Sequence, residues 1–355
     1  MKIAVFGNYG VHNLGDDLIL EGFLNQYEND EVVVFCGYPK QVKQQFSIDA
    51  HQFFPGGFRS LLKYWFNSEY RQEVKTAQHV LRDCDKVFVG GGGILVDRHF
   101  KALYLWRAQL AEIKKSKKSY HFISNSLELR TKRSQRLFKP FLQSAVSISV
   151  RDKASQDLLS RMGIESKLVE DLALSSSSIK KFALGFRTRA HHITPNSRLQ
   201  SGDMEPVVAL FKIPTISLAL NRWMLDTSRL HILREFITKK QSEGYQVKAL
   251  AFQTVGDDDR EVYQELGLNV PILTKINDIL TTLQSSGILI GMRFHAILLS
   301  LHFKVPVIAL PYQSKVTALM TERGLSDHLI PLPDLNQQKL QDLFEKLVDE
   351  KPVGH

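Results

Sequence analysis

The chain has 355 residues, of which 43% are hydrophobic, and this length favours two domains that each bury a core. No long uninterrupted apolar run occurs, so no transmembrane helix is expected. The net charge of +9 favours polyanions, anionic membrane surfaces or anionic small substrates. No helix-turn-helix, zinc-finger or RNA-binding signature is visible, so nucleic acid is not an expected partner.

The cysteines and the first residues indicate the compartment. Cys36 and Cys84 lie in different apparent elements without metal-ligand spacing, as in a reduced cytosolic protein. The first apparent strand begins almost at the first residue, which leaves no room for a signal peptide. We therefore expect a cytoplasmic protein.

The first strand, Ile3 to Phe6, leads into a glycine-rich loop, and a helix is predicted from about Asp16, with Asp16 or Asp17 as its N-cap. The loop offers backbone N–H groups and amide side chains from Gly7, Asn8, Gly10, Asn13 and Gly15. Its spacing matches neither a dinucleotide fingerprint nor a P-loop. Both a phosphate-binding loop and a purely structural turn remain open.

A second strand is predicted at Glu31 to Phe35, and residues 38–72 are interpreted as irregular and rich in aromatic side chains. Such a stretch can stack on sugar rings, contact lipid, or form core under a long loop. The last interpretation is favoured, because buried aromatic residues are the more frequent case.

A strand at Lys86 to Val89 is followed by four glycines, Gly90 to Gly93, which allow close approach of the backbone to a ligand or another loop. This is the second glycine-rich turn at the same edge of the predicted sheet. Two such turns at neighbouring strand ends make Gly91 and Gly92 candidate substrate-binding residues.

A helix is predicted from His99 to Lys115, within a segment from Arg98 to Lys139 that is dense in basic residues. These residues are interpreted as solvated helix faces, or as a cluster that contacts anionic lipid or a pyrophosphate-linked acceptor.

Strands at Tyr120 to Ser124, Ala145 to Val150 and Lys167 to Val169, with a helix from Ser155 to Met162, predict a doubly wound parallel sheet. Arg151 and Asp171 follow two of these strands. The predicted organisation is a first Rossmann-like domain over 1–175, a basic linker or mobile loop over 176–206, a second Rossmann-like domain over 207–335, and a helix and tail over 336–355.

The second domain is predicted to contain strands at Thr215 to Leu220 and Gln246 to Ala251, and helices at Leu230 to Gln241 and Ile276 to Gln284. The aspartates at 257–259 are interpreted as a helix N-terminal cluster, because adjacent residues cannot all face one ion. No constellation of residues predicts a metal site.

The most informative stretch is 287–315, which is predicted to form a strand, a turn at Gly291, a buried helix and another strand. Arg293 and His295 lie where that helix begins, at the ligand-facing edge of a parallel sheet. Arginine can bind a phosphate or carboxylate bidentately, and histidine can transfer a proton near neutral pH. The structural alternative is an arginine paired with a surface acid and a histidine that caps a helix.

Several segments, taken together, resemble the polysaccharide pyruvyl transferase family. They are GNYGVHNLGDDLIL (7–20), GGGGILVD (90–97), SVRDKASQDLLSRMGI (149–164), ISLALNRW (216–223), AFQTVGDD (251–258) and GMRFHAILLSLHFKVPVIALPYQSK (291–315). The resemblance implies an α/β fold with two Rossmann-like domains facing a cleft, a GT-B-like arrangement.

The resemblance also implies a function: transfer of the enolpyruvyl group of phosphoenolpyruvate to a sugar of a cell-surface polysaccharide or its lipid-linked precursor, forming a pyruvate ketal. Arg293, with Arg222 or Lys315, would bind the donor, and His295 would act as general acid and base. Asp16, Asp152 or Asp171 would activate the acceptor hydroxyl. Asn8, Gly10, Asn13, Gly15, Gly91, Gly92, Arg151 and Asp171 are the further residues expected to bind substrate.

No cofactor besides the donor substrate is implied, and peripheral contact with the inner face of a membrane is expected. The chain departs from the family pattern at Phe294, where leucine is usual, and at Gln313-Ser314 and Asp171-Leu172, where Asp-Pro is usual. The arginine that commonly ends the strand at 216–220 is displaced to Arg222. The alternatives are a GT-B glycosyltransferase that uses a nucleotide sugar and a non-enzymatic basic binding module.

Overall fold

The structure is a computed structural model that describes residues 1–97, 100–182 and 215–349. The chain divides into two compact units between Ser177 and Ser178. Each unit contains a parallel sheet with helices connecting its strands.

The first unit contains a seven-stranded parallel sheet in the order β3-β2-β1-β4-β5-β6-β7. Its strands are β1 (Lys2–Phe6), β2 (Glu31–Cys36), β3 (Asp49–Gln52), β4 (Lys86–Val96), β5 (Tyr120–Glu128), β6 (Ser147–Val150) and β7 (Lys167–Leu168). Its helices are α1 (Leu14–Gln26), α2 (Pro39–Phe46), α3 (Phe58–Phe66), α4 (Ser68–Asp83), α5 (Phe100–Lys115), α6 (Lys132–Gln143) and α7 (Lys153–Arg161), followed by a 3₁₀ turn at Leu172–Ser175.

The second unit contains a five-stranded parallel sheet in the order β10-β9-β8-β11-β12. Its strands are β8 (Thr215–Ala219), β9 (Gln246–Leu250), β10 (Ile272–Leu273), β11 (Ile288–Gly291) and β12 (Val307–Ala309). The helices that follow α8 (177–182) are α9 (Thr227–Ser242), α10 (Asp259–Leu266), α11 (Ile276–Ser285), α12 (Phe294–His302), α13 (Ser314–Glu322) and α14 (Gln337–Asp349), with 3₁₀ turns at Ser326–His328 and Leu332–Asp334.

The central strands are mostly apolar because helices cover both faces of a parallel sheet. Ile3 to Phe6 of β1 and Ile288 to Ile290 of β11 are all buried. In each unit the strand order reverses beside the first strand, between β1 and β4 and between β8 and β11. Ligands of doubly wound folds bind at such a reversal, outside the carboxyl ends of the strands.

Three local predictions are wrong. Helix α1 begins at Leu14, not near Asp16, because the side chain of Asn13 caps it by accepting the N–H of Gly15 at 3.1 Å. Residues 38–72 are not irregular, since they contain α2, β3, α3 and the start of α4. The glycines at 90–93 are not a turn after a strand but lie within β4, which pairs with β5 on both sides of a register shift.

The two segments predicted to lie outside the domains have different outcomes. Of the predicted linker at 176–206, residues 177–182 are helical, and 183–206 lies outside the described residues. The C-terminal helix α14 is part of the second unit, where Leu340, Phe344 and Leu347 are buried in its core. Phe344 makes an edge contact with Phe236 of α9, with ring centroids 5.4 Å apart.

Replacing Phe344 by alanine should lower the free energy of unfolding of the second unit by about 3–5 kcal/mol, because the ring leaves a cavity between α9 and α14. Denaturant unfolding followed by circular dichroism measures the change. Val348→Ala is the matched control, since Val348 lies on the same helix and is 38% exposed. Equal stability of the two variants would show that α14 adds little to this core.

Candidate functional site

In the second unit, polar side chains gather where β8, β9 and β11 end. Asn221 lies two residues after β8, Arg293 lies two residues after β11, and Asp259 lies in the first turn of α10, which follows β9. Asp259 Oδ1 accepts hydrogen bonds from Arg293 Nε at 2.9 Å and from Asn221 Nδ2 at 3.4 Å. The three loops are therefore tied together at the point where the strand order reverses.

The carboxylate of Asp259 is fully buried. Besides Arg293 and Asn221, it accepts the backbone N–H groups of Phe252 and Gln253, both at 3.0 Å. The pKa of this carboxyl is raised, because the effect of burial outweighs the lowering by the charge of Arg293 and by the donated hydrogen bonds. A buried carboxylate is tolerated here because positive charge and N–H groups surround it.

Arg293 is the N-cap residue of α12, and its side chain is directed toward the loop after β9. The guanidinium forms a close ion pair with Asp259 and also donates to Gln253 Oε1 and to the carbonyl of Asp257, both at 3.3 Å. Its side chain is 13% exposed. Arg293 is thus paired with an acid, as in the structural alternative, but this acid is buried and does not lie at the surface.

His295 lies in the first turn of α12, next to Phe294, and is buried. The two rings meet edge to face, with centroids 5.3 Å apart. The ammonium of Lys315, in the first turn of α13, lies 5.6 Å from the centroid of the Phe294 ring. A cation over an aromatic ring is attracted to it, so Phe294 helps to bring Lys315 to the start of α12.

Arg222 lies beside a different feature, a cavity of about 250 Å³ after β8. The lining residues are Asn221, Arg222, Trp223, Gly256, Asp257, Asp258 and Glu261. Arg222 Nε pairs with Glu265 Oε1 at 2.7 Å, and both side chains are 42% exposed. The acidic residues Asp257, Asp258 and Glu261 therefore surround Arg222 in this cavity.

In the first unit, the loop after β1 is organised by Tyr9, which the sequence analysis did not select. Its ring is buried and its hydroxyl donates to the carbonyl of Gly90 in β4. The ring occupies the space beside Gly7, where an added Cβ would lie 2.2 Å from it. Burial raises the pKa of Tyr9, which keeps the phenol protonated as a donor.

The glycines of β4 accommodate side chains of the same unit. Gly90, Gly91 and Gly92 have φ values of 132°, 82° and 87°, a region that favours glycine. A Cβ at Gly91 would lie 2.2 Å from Ile19 Cγ2, and one at Gly92 would lie 2.9 Å from Asp16 Oδ1. Gly93 is exposed. The close approach predicted for Gly91 and Gly92 is made to α1, and Gly92 lies next to the carboxylate of Asp16.

Asp16 is partly exposed and accepts a hydrogen bond from Asn13 Nδ2 at 3.0 Å. Asn8 is partly exposed in the loop directly after β1, whereas Gly10 and Gly15 are buried. Asp17, which follows Asp16, is a buried acid that the sequence analysis considered only as a helix N-cap. It accepts the N–H of Gly10 at 3.4 Å, and burial raises its pKa.

Arg151 and Asp171, both expected to bind substrate, form a buried ion pair with each other. Arg151 Nη1 lies 2.5 Å from Asp171 Oδ2, and the two side chains are 1% and 3% exposed. Arg151 Nε donates to Ser126 Oγ at 2.8 Å, and that hydroxyl donates to Asp152 Oδ2 at 2.6 Å. Asp152 and Asp171 also cap the following helical segments. This network connects β5, β6 and the 3₁₀ turn inside the unit.

Within residues 1–97, 100–182 and 215–349, no group of three or more histidine, cysteine, aspartate or glutamate residues is placed to hold a metal ion. None of the helices in these same ranges combines the length and apolar character needed to cross a membrane.

Solved structures with the same fold confirm an α/β protein with two Rossmann-like units, the GT-B-like class predicted from sequence. A UDP-GlcNAc 2-epimerase of Methanocaldococcus jannaschii in complex with UDP-GlcNAc and UDP aligns with a TM-score of 0.59 at 14% identity, covering 100% of this chain and 96% of that one. Staphylococcus aureus MnaA with UDP aligns with a TM-score of 0.58 at 13% identity, covering 98% and 88%.

The family is shown by sequence. The family model for polysaccharide pyruvyl transferase matches residues 13–314, so the chain belongs to this family of transferases. No curated protein matches the sequence. The predicted family and enzyme class are therefore confirmed.

Replacing Arg293 by alanine should lower the free energy of unfolding of the second unit by about 3–5 kcal/mol, because it leaves the buried carboxylate of Asp259 without its partner. The same replacement at Arg222 should cost about 0–1 kcal/mol, since that ion pair is half-exposed. Denaturant unfolding of both variants tests the difference.

The loss at Arg293→Ala should shrink as the pH falls from neutral toward about 4, where an unfolded aspartate begins to bind protons. Burial then raises the pKa of Asp259 further in the folded variant, so the folded state binds a proton that the unfolded state releases. A deficit that is independent of pH would contradict this assignment of the buried charge.

Gly91→Ala should destabilise the first unit by about 2 kcal/mol or more, because of the positive φ and the contact with Ile19. Gly93→Ala should change stability by less than about 0.5 kcal/mol, since a Cβ there meets Val96 Cγ2 at an ordinary 3.7 Å. Thermal unfolding compares the variants. Equal destabilisation of the two variants would show that glycine is not required at position 91 by packing against α1.

Proposed function

We propose that the chain is a pyruvyltransferase that moves the enolpyruvyl group of phosphoenolpyruvate to a sugar of a cell-surface polysaccharide or of its lipid-linked precursor. The product is a pyruvate ketal, and phosphate is released. The observation that supports this proposal most directly is that His295 and Lys315, in the first turns of α12 and α13, both contact the ring of Phe294, within a chain that belongs to this family.

Phosphoenolpyruvate carries a phosphate and a carboxylate and therefore requires cationic and N–H donors. Lys315 supplies a positive charge, and the N-terminal turns of α12 and α13 supply backbone N–H groups directed outward. Gln313, the N-cap residue of α13, makes no side-chain capping hydrogen bond, unlike an aspartate at that position. Arg293 contributes its remaining guanidinium surface and, through Asp259, holds the loops in register.

The chemistry requires one proton transfer to carbon. A proton added to the methylene carbon of the donor makes a methyl group and an oxocarbenium-like centre at the adjacent carbon. One acceptor hydroxyl attacks that centre, the bond from carbon to the phosphate oxygen breaks, and a second hydroxyl closes the ketal. Of the two protons that the hydroxyls release, one replaces the proton added to carbon and the other protonates the leaving phosphate. His295 is the group proposed to deliver the first proton.

Asp16 is the carboxylate proposed to activate the acceptor. It is partly exposed and lies beside Gly92, at the reversal of strand order in the first unit, with Asn8 nearby in sequence. Asp152 and Asp171 are less suited to this role because their carboxylates are engaged in the buried network with Arg151 and Ser126. The proposed reaction needs no cofactor besides the donor, and we place it at the cytoplasmic face of a membrane.

Calorimetric titration of phosphoenolpyruvate into Lys315→Met and His295→Gln tests the donor site. Lys315→Met should weaken binding about tenfold or more, since it removes a charge-assisted contact. His295→Gln should retain binding but lower phosphate release in the presence of acceptor about 10²–10⁴-fold, the range of a lost general acid. Lys339→Met, at an exposed lysine of α14, is the matched control and should bind like the wild type.

Binding of a nucleoside diphosphate in place of phosphoenolpyruvate would instead favour a nucleotide-sugar glycosyltransferase. Equal donor affinity of Lys315→Met and Lys339→Met would contradict the assigned donor site.

A further inference from the structure

Helix α3 presents its apolar side to solvent. Its five large apolar side chains are exposed, at 76% for Phe58, 46% for Leu61, 40% for Leu62, 71% for Trp65 and 86% for Phe66. At 100° per residue these positions share one face of the helix. A contiguous apolar surface of this kind marks an interaction site.

The helix is held firmly in this orientation. The opposite side carries Tyr64, which packs against the core of the first unit. At the N-terminus, Ser60 Oγ accepts the N–H of Gly57 at 3.0 Å and donates to its carbonyl at 2.8 Å. At the C-terminus, Arg71 of α4 donates to the carbonyls of Tyr64 and Trp65, at 3.2 and 2.6 Å. Both ends of the helix are therefore capped by hydrogen bonds in this orientation.

The charges carried by this helix are positive. Residues 57–66 contain Arg59 and Lys63 and no acidic residue. Both basic side chains are exposed and lie beside the apolar face on the helix surface, with the Lys63 ammonium 4.4 Å from the ring centroid of Tyr70. The whole chain carries a net charge of +9. An apolar face that contains tryptophan and is bordered by basic residues matches the interface between anionic headgroups and acyl chains.

We infer that α3 is a membrane-docking helix, which lies in the plane of an anionic lipid surface with Phe58, Trp65 and Phe66 inserted among the lipids. With nine residues the helix spans about 13 Å, so it anchors the unit peripherally. The inference goes beyond the transfer reaction and does not rest on it, because lipid binding is measured without donor or acceptor.

The test is sedimentation of the full chain with vesicles of phosphatidylcholine, alone or mixed with phosphatidylglycerol. The wild type should bind the mixed vesicles. The affinity of Trp65→Ser/Phe66→Ser for them should be at least about tenfold lower, because the inserted apolar area is lost. Arg59→Glu/Lys63→Glu should lose the preference for phosphatidylglycerol. Val146→Ser, at a residue of the same unit that is 65% exposed, is the control and should bind like the wild type.

Tryptophan fluorescence provides a second readout. Addition of mixed vesicles should shift the emission of the wild type to shorter wavelength, and Trp65→Phe should bind without most of that shift, since Trp106 is already buried and Trp223 lies in the second unit, outside α3. Thermal unfolding should be unchanged in these variants, because the replaced side chains are exposed. Three outcomes would overturn the inference: no binding by the wild type, equal binding by Trp65→Ser/Phe66→Ser, or a dimer that this variant converts to monomer without any vesicle binding.

Discussion

The ion pair between Asp259 and Arg293 is the constraint on which the candidate site of the second unit depends. A carboxylate with no exposure to solvent is costly unless cations and N–H groups surround it, and here these come from the loops after β8, β9 and β11. The pair therefore sets the positions of three strand ends at once. It also sets where α12 begins, because Arg293 is the N-cap residue of that helix.

In the first unit, neutral groups connect the strand ends on either side of the reversal. Tyr9 extends from the loop after β1 to the carbonyl of Gly90, and the glycines of β4 let α1 approach the strand closely. In both units, the reversal of strand order is filled mostly by the chain's own side chains. Asp16 and Lys315 are partly exposed in the first turns of α1 and α13, and side chains that are carried by helices favour precise positioning.

Periodicity and strand-end chemistry in the sequence were sufficient to predict two parallel sheets, their central strands and the helix that follows β11. The partners of the charged residues were not predictable in the same way. Asp259 lies 34 residues before Arg293, and only the strand order brings them together. Arg151 and Asp171 are likewise brought together by folding, into a buried pair that their separate positions after strands did not reveal. Helix α3 shows a related limit, because an amphipathic pattern predicts an apolar face but not whether protein covers it.

The capping of α3 by Arg71 has a mechanical consequence. Arg71 belongs to α4, and Val74, Ala77 and Leu81 of that helix are buried in the core beneath the seven-stranded sheet. Helix α3 is therefore linked through α4 to the core of the first unit. A surface that binds the outer face of α3 is therefore connected to that core through the two hydrogen bonds of Arg71.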